Sequence, residues 1–265
     1  MSDAGSSNLP VRPTRLLGRE RDIATVRQMM SDSRLVTVTA AGGPGKTRLA
    51  IAIGEAELPH RHGGVWFADL TAVARGTEVT SAIAASLGLV ADGPDRTALV
   101  IGYPADRQAL VILDNCEHVI DECAEFADRF LRAAGSSSLL ATSREPLDID
   151  VERTLALPPL PSDTPDSPGV RLFMDRACAV KADFAMNETS AATIAEICLR
   201  LDGLPIAVEA QELARRCQQT QRRHVFRGAG PRARQRRRSG ARGCRRRPRC
   251  LLRSGIGTVA RKARS

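Results

Sequence analysis

The chain has 265 residues, 43% of them hydrophobic and 26% charged, which suits a globular protein with room for one large domain or two small ones. No apolar run approaches a membrane span, and the polar start Met-Ser-Asp-Ala-Gly-Ser-Ser-Asn lacks the plan of a signal peptide, so the expected location is cytoplasmic. The net charge of +9 sums two unlike segments: residues 1–210 hold 20 basic and 29 acidic side chains, whereas 211–265 hold 19 basic side chains and one acid, Glu212.

Residues 1–13 are small, polar and punctuated by proline, which predicts a flexible leader. Leu16-Leu17-Gly18-Arg19-Glu20 opens a helical pattern that runs to about Met30, with Ile23, Val26, Met29 and Met30 on one face. A first strand is expected at 35–39, a helix carrying Leu49, Ile51 and Ile53 after it, and a second strand at 65–70. A helix at about 78–87 leads toward a third strand at 109–114, too apolar to be solvated on either face. A long helix at about 117–134, a fourth strand at 138–142 and a fifth at 154–157 complete the series. Strands alternating with helices predict an α/β fold, a parallel sheet covered on both faces in three layers.

The proline-rich link 158–168 breaks this rhythm. Helices at about 168–180 and 189–201 follow, and Gly203-Leu204-Pro205 starts a third, so a small, incomplete helical domain is expected. The organisation reads as a leader (1–13), an α/β domain (14–160), a partial helical domain (161–216) and an Arg-rich tail (217–265). The tail has too few apolar residues to offset its chain entropy, which predicts disorder.

Residues 35–48 read Leu-Val-Thr-Val-Thr-Ala-Ala-Gly-Gly-Pro-Gly-Lys-Thr-Arg, a β-branched strand entering a glycine-rich loop and then a helix. Gly42, Gly43 and Gly45 let backbone N–H groups approach phosphate oxygens. The helix N-terminus adds its dipole, Lys46 reaches the outer phosphates and the Thr47 hydroxyl holds Mg²⁺. Ala40 stands where such loops carry their first glycine, acceptable if that position keeps φ negative. Pro44 removes one N–H from the cradle, and Gly43 before it is expected to take the extended conformation that a following proline demands.

The third strand ends in Asp114, which would meet the metal shell from the strand beside the loop. Asn115 follows instead of a second acid, so a strong general base for hydrolysis is not assured, although Glu117 is close in sequence. Arg144 follows the fourth strand at its C-terminal end, where it would point into the ligand crevice and stabilise a terminal phosphate. The seven cysteines form no Cys-x-x-Cys, which indicates neither a zinc site nor a disulfide framework. His60 and His62 read as exposed loop residues.

Taken together, Leu-Leu-Gly-Arg-Glu (16–20), the loop ending Gly45-Lys46-Thr47-Arg48, Val65-Trp66-Phe67-Ala68-Asp69-Leu70, Leu113-Asp114-Asn115-Cys116-Glu117-His118, Ala141-Thr142-Ser143-Arg144-Glu145-Pro146-Leu147 and Leu201-Asp202-Gly203-Leu204-Pro205-Ile206-Ala207 resemble one family. It is the P-loop NTPase, NB-ARC-like module of actinobacterial LuxR-type and AfsR-type transcriptional regulators, within the STAND class of signalling ATPases. The resemblance covers roughly 14–210. It implies an ATP/ADP-binding switch with slow Mg²⁺-dependent hydrolysis and self-association on ATP binding. Arg19 and Arg48 would lie near the nucleotide, Lys46 on phosphate, Thr47 and Asp114 on Mg²⁺. Arg144 would be the sensor arginine, and Pro205 would pack on the adenine.

The resemblance stops near Glu209, before the further helices and DNA-binding helix-turn-helix of such regulators. Two origins fit the tail: a nucleic-acid arm acting through phosphate contacts, and out-of-frame translation of a GC-rich gene. With Phe226 as its only aromatic and no base-reading motif, composition favours the second. Two rivals to the switch reading follow, a nucleic-acid-binding protein acting through the tail and an inactive truncated remnant.

Overall fold

Strands apolar on both faces must be covered twice, and this requirement organises the first 159 residues. The computed structural model describes residues 6–11, 16–43, 45–73, 78–89, 96–103, 107–133, 135–180 and 188–200. Pro44, Pro205 and the tail from 217 lie outside the described residues. Five parallel strands, β1 (Leu35–Thr39), β2 (Val65–Asp69), β3 (Leu110–Asp114), β4 (Ser138–Ser143) and β5 (Glu152–Ala156), form one sheet in the order β2-β3-β4-β1-β5. Every residue of β1, β3 and β4 is buried.

Alternation along these strands sorts side chains to two helical layers. Val36, Val38, Ile112 and Leu140 pack with Val26 of α1 (Glu20–Asp32) and with Leu49 and Ile53 of α2 (Lys46–Glu57). Leu35, Val111, Leu113 and Leu139 face the opposite layer. That layer comprises α3 (Glu78–Ser86), α4 (Arg96–Gly102) and α5 (Ile120–Ala133), which contribute Ile83, Val100 and Phe130. In α5 the buried set Cys123, Phe126, Ala127, Phe130 and Leu131 follows the i, i+3, i+4, i+7, i+8 spacing of an amphipathic helix. Buried Glu57, at the end of α2, accepts from Arg27 Nε of α1 at 2.8 Å and from Arg61 Nη2 at 2.9 Å, fixing the two helices to one another.

The α/β architecture matches the sequence reading, with differences of local cause. The long helix expected from 117 begins as a 3-10 turn, Cys116–His118, because Asn115 enters it in the left-handed conformation at φ 64°. Helix α4 is absent from the sequence reading. Strand β5 begins two residues early; it sits at the sheet edge with Arg153, Thr154 and Ala156 exposed, so it lacks the apolar run that marked the others. The order also corrects the position of Asp114. Strand β3 is not beside β1, because β4 pairs with both and lies between them.

The leader departs most from expectation over residues 6–11. Ser7 pairs with Val65 in a parallel bridge along the free edge of β2. Asn8 then uses its whole amide: Oδ1 accepts from Phe67 N at 2.6 Å, and Nδ2 donates to Phe67 O at 2.9 Å and Ser86 O at 3.1 Å. A polar side chain here does the work of a strand, satisfying edge groups that would otherwise be left unpaired.

The chain divides by its internal contacts into residues 1–159 and 160–265. Within the second unit, α6 (Pro168–Val180) packs on α7 (Glu188–Arg200). Val170, Phe173, Ile194 and Cys198 are buried there. No described helix is long and apolar enough to cross a membrane.

Asn8→Ala should cost about 1–3 kcal/mol, the range for a buried backbone donor left without a partner. Urea denaturation of the two proteins measures it. A leader that contributes nothing would leave the midpoint unchanged.

Candidate functional site

Two glycines set the path of the loop between β1 and α2. Gly43 has φ 96° and Gly45 φ 94°, left-handed values that L side chains rarely adopt. Gly43 therefore does not take the ordinary extended pre-proline conformation expected of it. Ala40 is not among the described residues with positive φ, which explains why alanine is accepted where such loops carry glycine. Ala40 N donates to Ser143 O at 3.2 Å, tying the start of the loop to the end of β4. A Cβ built on Gly42 meets nothing within 4 Å, so the space beside that residue is open.

Gly45 caps α2 without a side-chain hydrogen bond, and the first turn of that helix carries no acid. Its positive end is thus unopposed by its own sequence. Lys46 is buried and its Nζ donates to Ala40 O at 2.9 Å across the loop. Burial lowers the Lys46 pKa, Arg144 pushes the same way, and Glu117 and Asp114 oppose the shift.

The next residue reaches the other end of the site. Thr47 Oγ1 donates to Asp114 Oδ2 at 2.8 Å, joining residues 67 positions apart. The intervening strand makes this possible. Thr142 of β4 is fully buried and donates from Oγ1 to Asp114 Oδ1 at 2.6 Å, while accepting from Asn115 N at 3.1 Å. Asn115 Nδ2 donates to Asp114 Oδ2 at 3.2 Å and to Thr71 Oγ1 at 2.7 Å. Both Asp114 oxygens are therefore engaged. Burial raises the Asp114 pKa; the hydroxyls of Thr142 and Thr47 counter the rise, and Asp69 and Glu117 add to it.

Asp69 is the direct register partner of Asp114 at the end of β2, and its Oδ1 accepts from Thr71 N at 2.9 Å and Thr71 Oγ1 at 2.5 Å. Arg144 is exposed and its Nε stands 3.3 Å from Glu117 Oε1. His118 Nε2 lies 3.0 Å from Val73 O, which ties the 3-10 turn to the loop after β2. Cys116 is buried and its Sγ donates to Leu113 O at 3.5 Å; neighbouring Cys123 and burial push its thiol well above the usual value, which suits a core residue and not a nucleophile.

The sequence-derived residues separate into two groups. The loop glycines, Lys46, Thr47, Asp114 and Arg144 gather at the C-terminal ends of β1, β3 and β4, where ligands of open α/β sheets bind. Arg19 is buried at the start of α1, with Nη1 donating to Asp22 Oδ2 at 2.9 Å. Arg48 is half-buried in the first turn of α2. Sequence reading missed Thr142, Thr71 and the Asn115 bridge. A threonine at a strand end carries no spacing signal, and only the β3-β4 pairing reveals what it touches.

No family model matches the chain. It is 41% identical over 198 residues to uncharacterised proteins of Mycobacterium tuberculosis and Mycobacterium bovis, which covers 74% of this chain and 49% of theirs. It is 39% identical over 186 residues to the "Putative HTH-type transcriptional regulator" of M. tuberculosis, across 69% of this chain and 20% of that one. The chain thus spans about half the length of the first of these relatives.

Among solved structures, a signal transduction ATPase with numerous domains (STAND) from Pyrococcus horikoshii, with a tetratricopeptide repeat sensor, aligns with TM-score 0.52 and 14% identity, over 77% of this chain and 30% of that one. A Walker-type ATPase of Pyrococcus abyssi aligns with TM-score 0.55 and 13% identity, over 83% and 80%. At such identities the likeness concerns the fold, and that fold is the α/β fold of the P-loop ATPases.

Thr142→Val removes the hydroxyl at nearly constant shape and should cost about 2–3 kcal/mol, because a buried carboxylate oxygen loses its donor. Thr142→Ser should recover most of that in thermal or urea unfolding.

Asp114→Asn should raise the melting temperature of the nucleotide-free protein at pH 7–8. The carboxylate's folded pKa is raised, so the cost of its charge is fully present above that value and is lost as pH falls below the ordinary aspartate range. The gain should therefore shrink as pH is lowered, and a pH-independent difference would exclude a charge origin.

Proposed function

We propose that residues 14–160 and 161–216 form an ATP/ADP-binding switch of the STAND, NB-ARC-like type found in LuxR-type and AfsR-type transcriptional regulators, with slow Mg²⁺-dependent hydrolysis at best. The observation that carries this reading is the Thr47–Asp114 hydrogen bond beneath a glycine loop. It joins the hydroxyl and the carboxylate that P-loop ATPases use on Mg²⁺.

The residues fit such a ligand on chemical grounds. Mg²⁺ takes hard oxygen donors and keeps several waters, and Thr47 Oγ1 and Asp114 supply two oxygens at one point. The backbone of Gly42, Gly43 and Gly45 and the unopposed end of α2 would receive the phosphates. Lys46 would exchange its bond to Ala40 O for one to a phosphate oxygen, which restores the charge partner that burial denies it. A bound Mg²⁺ would offset the buried charge of Asp114 and polarise the terminal phosphate.

Arg144, just beyond the end of β4, the strand next to β1, would sense that phosphate, and Arg19, Arg48 and Pro205 would complete the proposed nucleotide contacts. Self-association on ATP binding, and a DNA target reached through an output domain of the kind named in the mycobacterial regulator, belong to the same proposal.

Titration of a fluorescent ATP analogue in Mg²⁺ tests the reading, with at least a tenfold weaker Kd expected for Lys46→Ala. Mg-ATP at 100 times its Kd should stabilise the wild type by about 2.7 kcal/mol. Equal binding by the two proteins, or no ligand-induced stabilisation, excludes it.

A further inference from the structure

We propose that Glu117, rather than the residue following Asp114, is the group that orients and deprotonates the water attacking the terminal phosphate. The proposal rests on the nucleotide reading above and deepens it. It begins with Asn115. That position is an amide, held at φ 64°, and its Nδ2 is engaged by Thr71 and Asp114. It can accept no proton from water, so the acid must come from elsewhere.

Asp114 and the carboxylates that act on it differ in what they have left to offer. Asp114 has Oδ1 taken by Thr142 and Oδ2 by Thr47 and Asn115. Asp69 Oδ1 is closed in its turn with Thr71. Glu117 has Oε1 paired with Arg144 Nε at 3.3 Å, while Oε2 is buried and has no hydrogen-bond partner. Buried acceptors are ordinarily satisfied, so an orphaned carboxylate oxygen calls for a specific reason.

The reason lies in how the side chain is delivered. The left-handed residue 115 reverses the chain into the Cys116–His118 turn, which returns Glu117 toward the site; its charge acts on both Lys46 and Asp114. Asn115 to Thr71 and His118 to Val73 O fasten this turn on either side of Glu117. The carboxylate is therefore positioned by four residues of chain and cannot wander as a surface glutamate would. Arg144, itself exposed, fixes the other oxygen.

Water oxygen forms a bond to the terminal phosphorus as Glu117 Oε2 takes one of its protons. The bond from that phosphorus to the bridging oxygen breaks, and its electron pair stays on the diphosphate. The proton then passes from Glu117 to solvent.

Glu117→Gln in the full chain tests the assignment, with binding and turnover read separately. Single-turnover hydrolysis should fall about 100-fold or more, the usual contribution of a positioned base. Mg²⁺-dependent binding of ATP and ADP analogues should survive. A second readout needs no turnover: loss of a negative charge beside the terminal phosphate should favour a non-hydrolysable ATP analogue over ADP by threefold or more in the ratio of Kd values. That ratio alone decides if wild-type turnover is too slow to detect.

Hydrolysis within threefold of wild type, an unchanged ratio, or loss of both nucleotides together overturns the assignment, the last by making Glu117 a structural support. Failure of the wild type to bind either nucleotide sinks the switch reading itself, a result distinct from all of these.

Discussion

A charged carboxylate buried between three chain segments is the constraint on which this structure turns. Asp114 is 1% exposed, yet it lies at the end of a strand with apolar residues on both faces. Burying an unpaired charge is expensive, and here the hydrogen bonds come from Thr47 on α2, Thr142 on β4 and the neighbouring Asn115. Neutral hydroxyls and an amide offset part of that cost and leave a pKa above the usual range. A fold selected for stability alone would place an amide or an apolar residue at 114. If Asp114 binds a cation as proposed, keeping the acid would exchange stability in the free protein for that affinity, a trade common at functional sites.

The same economy governs the lysine. Lys46 is desolvated and donates to a carbonyl of its own loop, so its charge is solvated by one backbone dipole and by distant carboxylates. Lys46 and Asp114 thus act on each other without direct pairing. Lys46 bonds to Ala40, Asp114 to hydroxyls, and Arg144 reaches Glu117 and not Asp114. A site arranged this way is electrostatically unsatisfied, and it gains more from a ligand carrying both a divalent cation and a polyanion than from either one alone.

How much of this was legible in the sequence depends on whether a residue's role is local. Strands β1 to β4 announced themselves because burial on both faces demands long apolar runs, whereas β5, open to solvent at the edge, was displaced by two residues. The glycine loop was legible because the positive φ of Gly43 and Gly45 favours glycine at those positions. The strand order was not, since nothing within Leu110–Asp114 states that β4 separates it from β1. Thr142 was invisible for the same reason; its hydroxyl matters only because β4 lies between the two motif strands. Asn8 was mistaken for part of a mobile leader because its three hydrogen bonds satisfy backbone groups of remote elements, which composition cannot reveal.

The substitution of an amide for the second acid has a consequence for rate as well as for geometry. An acid directly after the metal-binding aspartate would project from the strand end, with little chain between the metal ligand and the base. Here the acid comes three residues later, on a 3-10 turn pinned to the β2 loop and paired with an exposed arginine. Arg144 holds one oxygen of that carboxylate. As the proposed base, a carboxylate so restrained would work slowly until the guanidinium left, and a terminal phosphate would be the group able to draw it away. On the reading proposed above, slow hydrolysis coupled to the position of one arginine would suit a timer better than a metabolic catalyst, and it would follow from where a single carboxylate sits in the chain.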